Sequence, residues 1–518
     1  MELNTMKKIL IVLILLLSLS GCSSKKEADL TNDNYRVFYE IFVGSFSDSN
    51  GDGIGDLRGI INRLDYLNDG NVLSKSSLGI QGIWLTPIFY SPSYHKYDVI
   101  DYYRIDPQFG TQDDLDELIS ECHKRNVLVI LDIAFNHTSS QNEWFKSFVE
   151  AHQNNDYANK YYDFYTYAYK NDSPGGRSFC DISWTDQNYE CNFSYDMPEL
   201  NFDNPDVRNE VLNIARFYLD KGIDGFRFDA AKYLYLTDKN STENFWKWYT
   251  DELKKIKEDV YLVGEVWSSE SEVNEYIDEL NCFNFSMAQN NGMIAECVKS
   301  SDIGRYTAYI ENYQNTLRSI DGDAMPIPFL SNHDMDRSAG YLNVQNGEAY
   351  LASDLYLLSS GSPFIYYGEE IGMKGSRGGA NTDANRRLKM LWGDQDTVED
   401  PEGSTYELKN QINGTVAEQS KNENSLLNNY KKLIYLRKKY PAIARGTYEK
   451  ISFDQPSLGG FKVSYEDKTL YVIHNCSDEE IKIKTDLFIK SLDHAGFAGS
   501  SFKNGELTVG PYSSAILE

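Results

Sequence analysis

IDGFRFD, residues 223–229, starts with a β-branched residue, alternates Phe with other side chains and ends on a carboxylate. Short β-rich runs bounded by helical patterns read as parallel strands joined by crossover helices. This run predicts a buried strand with an acid at its carboxyl end. The same grammar recurs on both sides of it. Runs at 37–42, 82–88, 127–135, 260–265, 283–288, 325–331 and 364–367 alternate with helical stretches, which makes eight. Eight strand–helix units predict an α/β fold, a (β/α)8 TIM barrel, because the sheet can then close on itself. The alternation breaks off between His137 and Pro205, far beyond the usual 2–6 residues of a strand-to-helix loop, so a subdomain is inserted after strand three. Past Pro441 the pattern changes to alternating strands such as 461–465 and 470–474, a small antiparallel β-sandwich domain. The expected boundaries are barrel over 35–137 and 206–440, insertion over 138–205 and carboxyl-terminal domain over 441–518.

The chain has 518 residues, enough to bury a sizeable core, and 50 Lys and Arg against 78 Asp and Glu give a formal charge of −28. Such a surface repels phosphate backbones and anionic headgroups, which excludes nucleic acid as a partner. The 38 tyrosines exceed what a core requires and suit sugar faces as well as an ordinary surface. At the amino terminus, Lys7 and Lys8 precede an apolar run over 9–17, too short to span a bilayer and right for an export signal. Leu19-Ser20-Gly21-Cys22 follows and resembles a bacterial lipobox. The expectation is a signal peptide over 1–21, a lipidated Cys22, a polar tether over 22–34 and a mature protein anchored outside the cytoplasm by lipid alone, acting as a monomer. Six further thiols (Cys122, Cys180, Cys191, Cys282, Cys297 and Cys476) lack CxxC spacing, and Cys180 with Cys191 is the first pair to test for a disulfide.

Three of the strand runs lead into carboxylates: Asp229 after GFRF, Glu265 after YLVG and Asp334 after FLSNH. Parallel barrel strands point their carboxyl ends at one face, so these acids converge there. Like charges in proximity raise one another's pKa, which lets one carboxyl stay protonated while another ionises. Glycosidic bond cleavage uses that division. Arg227, two residues before Asp229, shares its face and can hold it ionised. His137 and His333 fall at the same rim.

At these residues the sequence resembles the α-amylase family, glycoside hydrolase family 13, over essentially the whole mature chain. The motifs come in the family's order: DIAFNH (132–137), GFRFDAAK (225–232), GEVW (264–267) and FLSNHD (329–334), with MPELN (197–201) in the insertion. The variant resembles members intermediate between oligo-1,6-glucosidases and neopullulanases. The resemblance implies Asp229 as nucleophile, Glu265 as general acid/base and Asp334 as the acid that distorts the sugar. It implies His137, Arg227 and His333 as sugar contacts, Tyr97 in HKYDVIDYY as the stacking ring, and Asp98 and Lys232 as further substrate-binding residues. Retention then requires the Asp229 and Glu265 carboxyls roughly 5–5.5 Å apart. Three departures stand out. Tyr94 replaces the Asp that exo-acting relatives place three residues before the stacking tyrosine, which favours an endo habit. Tyr233 follows Lys232 where many α-amylases carry His, and Lys389 stands where proline is common.

In DSNGDGIGD (48–56), Asp48, Asn50, Asp52 and Asp56 put oxygen side chains along a Gly-rich turn, as a hard cation requires. An EF-hand would need Glu at its twelfth position, which is Gly59. The resemblance implies a structural Ca²⁺ held by these four and the carbonyl of Ile54. The expected activity is hydrolysis of α-1,4 bonds in starch or maltodextrins, with α-glucosidase, neopullulanase-like or transglycosylating action as alternatives within the family. A non-catalytic surface glucan-binding protein is the alternative of another class.

Overall fold

A computed structural model describes residues 33–518 apart from Leu73, Ser173, 379–382, 408–412 and 486–488. The expected signal peptide and Cys22 lie outside the described residues. Among the described residues no helix is long and apolar enough to cross a membrane.

Seven parallel strands form one sheet in the spatial order Asn281–Cys282, Tyr261–Gly264, Gly225–Phe228, Leu128–Ile133, Gly82–Leu85, Phe38–Ile41, Phe364–Tyr366. Two isolated parallel bridges, Phe283 to Ile327 and Phe329 to Phe364, close the ring. The barrel is therefore complete, but the seventh run, expected as a strand over 325–331, is only a bridged segment. Pro326 and Pro328 flank Ile327, and each removes an N–H that a continuous ladder would need. Their carbonyls still accept from Ser362 and Phe364 at 2.8 and 3.0 Å. The sixth expected run, 283–288, is also corrected: the strand is Asn281–Cys282, and beyond Phe283 the chain turns.

Side chains alternate across the barrel wall. Tyr39, Ile83, Phe226 and Phe228 point outward into the layer shared with the helices. Phe38, Trp84, Ile130, Tyr261, Val263, Phe283, Ile327, Phe329 and Phe364 fill the interior. Two residues further along the same strands, the inward positions become Glu40, Asp132 and Glu265. Arg227 and Asp229 continue the inward face that begins at Gly225, where a Cβ would meet the Tyr261 carbonyl at 1.8 Å. The interior thus changes from apolar to charged toward the carboxyl ends of the strands.

Between the third and fourth strands lie the helix Glu143–Asn154 and a three-stranded antiparallel sheet of Tyr167–Tyr169, Gln187–Glu190 and Phe179–Asp181, with Gln187–Glu190 central. Cys180 and Cys191, the first pair to test, form a disulfide across this sheet. Cys122, Cys282, Cys297 and Cys476 are free and buried. After Thr447 the chain forms a five-stranded and a three-stranded antiparallel sheet, packed through Leu458, Ile473, Leu507, Val509 and Leu517.

Candidate active site

Arg227 is the hub. It is fully buried, and its Nη1 donates to Asp132 Oδ1 at 2.8 Å and to Asp229 Oδ1 at 2.7 Å, while Nη2 pairs with Glu265 Oε2 at 3.0 Å. One guanidinium thus holds the two expected reacting carboxyls side by side. Glu265 Oε2 also accepts from the Ala230 amide at 3.2 Å. That amide is aimed by a backbone φ of 48° at Ala230, in the left-handed region disfavoured for any residue with a Cβ.

The third acid comes from the opposite wall. Asp334 pairs with Arg387 Nη2 at 2.6 Å and with His333 Nε2 at 3.1 Å. His333 is fully buried, with Nδ1 2.6 Å from Glu40 Oε1 and Nε2 2.6 Å from the Tyr97 hydroxyl. Tyr97 in turn donates to Asp132 Oδ2 at 2.8 Å and lies parallel to the His333 ring. The network is continuous from Glu40 to Glu265, which fixes each group before any ligand arrives.

Burial, with the neighbouring Asp132 and Asp334 charges, pushes the Asp229 pKa up to about 6 against the pull of Arg227. Burial, together with Asp229 and Asp334, pushes Glu265 further, to about 7. Burial would also raise Asp334, but His333 and Arg387 hold it well below the usual carboxylate range. The same pairing, with Glu40, raises His333 to about 10 although burial opposes its charge. His137 goes the other way, to about 4, because burial dominates. Neighbouring acids have thus been driven apart in proton affinity, with Glu265 the one that keeps its proton best among the three.

These groups open into a cleft of about 790 Å³ bordered by Tyr97, His137, Asp229, Glu265, Asp334 and Arg387. The "Alpha amylase, catalytic domain" family model matches residues 40–446. The chain belongs to the α-amylase family. It is a glycoside hydrolase, 37% identical over 487 residues to "Alpha-amylase 3" of Dictyoglomus thermophilum, with 93% of each chain covered. A 4-alpha-glucanotransferase of Thermotoga maritima is 30% identical, covering 86% of this chain and 96% of its own. The solved structure of Eubacterium rectale Amy13B superposes with a TM-score of 0.85 at 34% identity, covering 94% and 95% of the two chains.

Other expected residues of this α-amylase family member are placed less uniformly. Asp98 borders the cleft but is buried, its Oδ1 accepting from the hydroxyls of Ser91 and Ser93. Lys232 donates its Nζ to the Trp267 carbonyl at 2.9 Å, outside the residues bordering the cleft. Tyr233 and Trp267 do border it, as does Phe193, whose ring is 5.2 Å from both His137 and Tyr233. Tyr94 accepts from Arg387 Nη1 at 2.9 Å. Glu40, Asp132 and Arg387 belong to the site and were not singled out from sequence. Glu40 in FYEIF and Asp132 in VILDIAF did carry a signal: a lone acid inside an apolar strand needs a buried partner.

None of the residues of the loop at 48–56 borders the cleft, although Asp52, Gly53 and Ile54 share a neighbouring cavity with Tyr94 and Glu402, which do. Asp48 Oδ1 accepts from the amides of Asn50 and Gly51, and Oδ2 from Gly53 and the Thr397 hydroxyl, at 2.7–2.9 Å. Asn50 and Asp52 accept from the amides two residues on, so the Ile54 amide goes to Asp52. Asp56 caps the helix Leu57–Asn62 through the Gly59 amide and takes Ser49 on its other oxygen. The donors are hard oxygens, the chemistry calcium takes. Among the described residues, however, no group of three or more His, Cys, Asp and Glu side chains converges to hold a metal.

Proposed function

We propose that the protein is a retaining, endo-acting α-amylase that cleaves α-1,4-glucosidic bonds of starch and maltodextrins through a covalent glycosyl-enzyme. The observation that carries this reading is the shared guanidinium of Arg227, which keeps Asp229 and Glu265 adjacent while their pKa values stand at about 6 and about 7. Asp229 attacks the anomeric carbon as Glu265 passes its proton to the departing oxygen. Glu265 then takes a proton from water, whose oxygen displaces Asp229. Asp334, His333 and Tyr97 hold the sugar at the cleavage point. Tyr94 supports the endo habit, because an uncharged ring bound to Arg387 stands where exo-acting members carry the acid that grips a chain end.

The test is the time course of products from soluble starch, maltoheptaose and pullulan, with the anomer first released read by proton NMR. Mixed maltooligosaccharides with the α configuration are expected, and Asp229→Asn and Glu265→Gln abolish them. Glucose released alone, or the β anomer, refutes the reading. Transfer to a sugar acceptor is the second activity to look for, since Phe193, Tyr233 and Trp267 give the cleft aromatic surface and a glucanotransferase is among the relatives.

Two further proposals complete the picture. Asp48, Asn50, Asp52, Asp56 and the Ile54 carbonyl hold a structural Ca²⁺, supported by their hard-oxygen chemistry; chelation should lower Tm, and Ca²⁺ but not Mg²⁺ should restore it. An unchanged Tm refutes this. Cys22 is the lipidation site of an extracytoplasmic, membrane-anchored monomer, supported by the lipobox-like sequence. Cys22→Ala should release the protein from the membrane fraction of expressing cells, and retention there refutes the anchor.

A further inference from the structure

Among the described residues, five of the seven prominently exposed large hydrophobic side chains, Tyr157, Tyr169, Trp184, Phe193 and Tyr195, lie in the insertion between His137 and Pro205. Trp184 is 93% exposed and stands at the tip of the hairpin between strands Phe179–Asp181 and Gln187–Glu190. Its φ is 69°, in the left-handed region that a bulky aromatic residue rarely occupies. A fully solvated indole gains nothing from packing there, so the side chain itself offsets none of the strain.

The hairpin under it is rigid. The Cys180–Cys191 disulfide ties its strands, Thr185 bonds back to the Ile182 carbonyl, and Lys170 reaches the Thr185 carbonyl from the third strand. Gln153, near the end of helix Glu143–Asn154, donates to the Ser183 carbonyl at 3.0 Å, which brings the chain leading to Tyr157 beside the tip. Tyr169 pairs with Gln187 in the sheet. Three exposed rings thus belong to one braced scaffold.

The scaffold continues into the cleft. Nine residues separate Trp184 from Phe193, which borders the cleft beside His137, so at ~3.3 Å per residue the two are within about 30 Å. We propose that Trp184, with Tyr157 and Tyr169, is a second carbohydrate-binding site that holds a strand of α-glucan outside the cleft. The proposal rests on the glucan reading of the cleft. Flat rings with polar edges match the CH faces and hydroxyls of pyranoses. A neutral polyol also meets no repulsion from a protein carrying −28. The site keeps a long chain close while its other end is cut.

The experiment combines amylopectin affinity electrophoresis, performed on Glu265→Gln so that the matrix is not digested, with kcat/KM on maltotetraose in the enzyme with Glu265 intact. Trp184→Asn keeps a residue suited to the left-handed region, and Trp184→Tyr keeps a ring. In the Glu265→Gln background, Trp184→Asn should weaken amylopectin binding about three- to tenfold, adding Tyr169→Asn should weaken it further, and Trp184→Tyr should restore most of it. With Glu265 intact, maltotetraose kcat/KM should stay within about twofold for all three. Unchanged retardation overturns the proposal. So does a parallel loss on maltotetraose, which would mean that the hairpin acts through the cleft, or a dimer in light scattering that Trp184→Asn dissolves, which would make the patch a self-association face. Failure of the substrate reading looks different: the unsubstituted enzyme would release no sugar from any α-glucan.

Discussion

Replacing Arg227 by Gln removes the one cation that, among the described residues, touches Asp132, Asp229 and Glu265 together. The buried acids survive by keeping their protons, so the fold should persist near pH 5 and weaken as they are forced to ionise. The catalytic consequence can be worked out for Asp229. Its bond to Nη1 at 2.7 Å is a charged hydrogen bond, a type that contributes about 1.5–3 kcal/mol. At 1.36 kcal/mol per pH unit, its loss carries the nucleophile from about 6 to roughly 7–8. At pH 6 the ionised fraction then falls from about half to about 1–10%, which predicts a 5- to 50-fold drop in kcat/KM at pH 6 that narrows as the pH is raised. The assay is kcat/KM against pH on a maltotrioside with an activated aryl leaving group, which departs with little help from Glu265 and so isolates the nucleophile. An acid limb that stays near 6 or moves to lower pH refutes the assignment of Arg227 as the group that holds Asp229 ionised.

Asp354 is buried beneath the carboxyl-terminal domain, accepts from Ser514 at 2.7 Å and Asn429 at 3.1 Å, and is pushed by burial up to about 7. The folded chain therefore keeps a proton that the unfolded chain releases near pH 4. The stability from this group is full below about pH 4 and is lost as pH rises to 7, by roughly 3–5 kcal/mol. Asp354→Asn should flatten the fall in Tm between pH 4 and 7, and an unchanged slope would count against it. The Cys180–Cys191 link closes an 11-residue separation, which the chain-entropy model values at roughly 2–3 kcal/mol. The Cys180→Ser, Cys191→Ser double variant should be cut by protease first between 138 and 205, while maltotetraose turnover changes little; cleavage elsewhere first would refute a local role.

Strand content was legible at 223–229 and 260–265, where an apolar run ended directly on an acid, because the pattern required both a buried wall and a polar end. It failed at 325–331, where MPIPF reads as an apolar strand but two prolines leave only a bridged segment, and at 283–288, where Phe283 ends the pairing and Phe285 and Ala288 still pack into the barrel interior. Within the site, acids at strand ends were found and acids one inward position earlier were not. Glu40 and Asp132 looked like interruptions of a hydrophobic run rather than the layer beneath the cleft. Arg387 left no signal at all. It lies 53 residues beyond Asp334 in an irregular segment, and only the folded chain brings its guanidinium to 2.6 Å from that carboxylate.

That buried layer explains why the reaction suits this barrel. Glu40, Asp132, Asp229, Glu265 and Asp334 face three cations, Arg227, His333 and Arg387. With all five acids ionised the cluster has an excess of two negative charges, which burial resists. A proton on Glu265, whose pKa is about 7, reduces the excess to one. In the oxocarbenium-like transition state the sugar becomes cationic as the Glu265 proton passes to the departing oxygen, so the net charge of the site is unchanged and only its distribution shifts, with the positive charge developing beside Asp229 and Asp334. Carboxylates already fixed around that position attract the charged sugar more strongly than the neutral one, which is the condition for them to raise kcat.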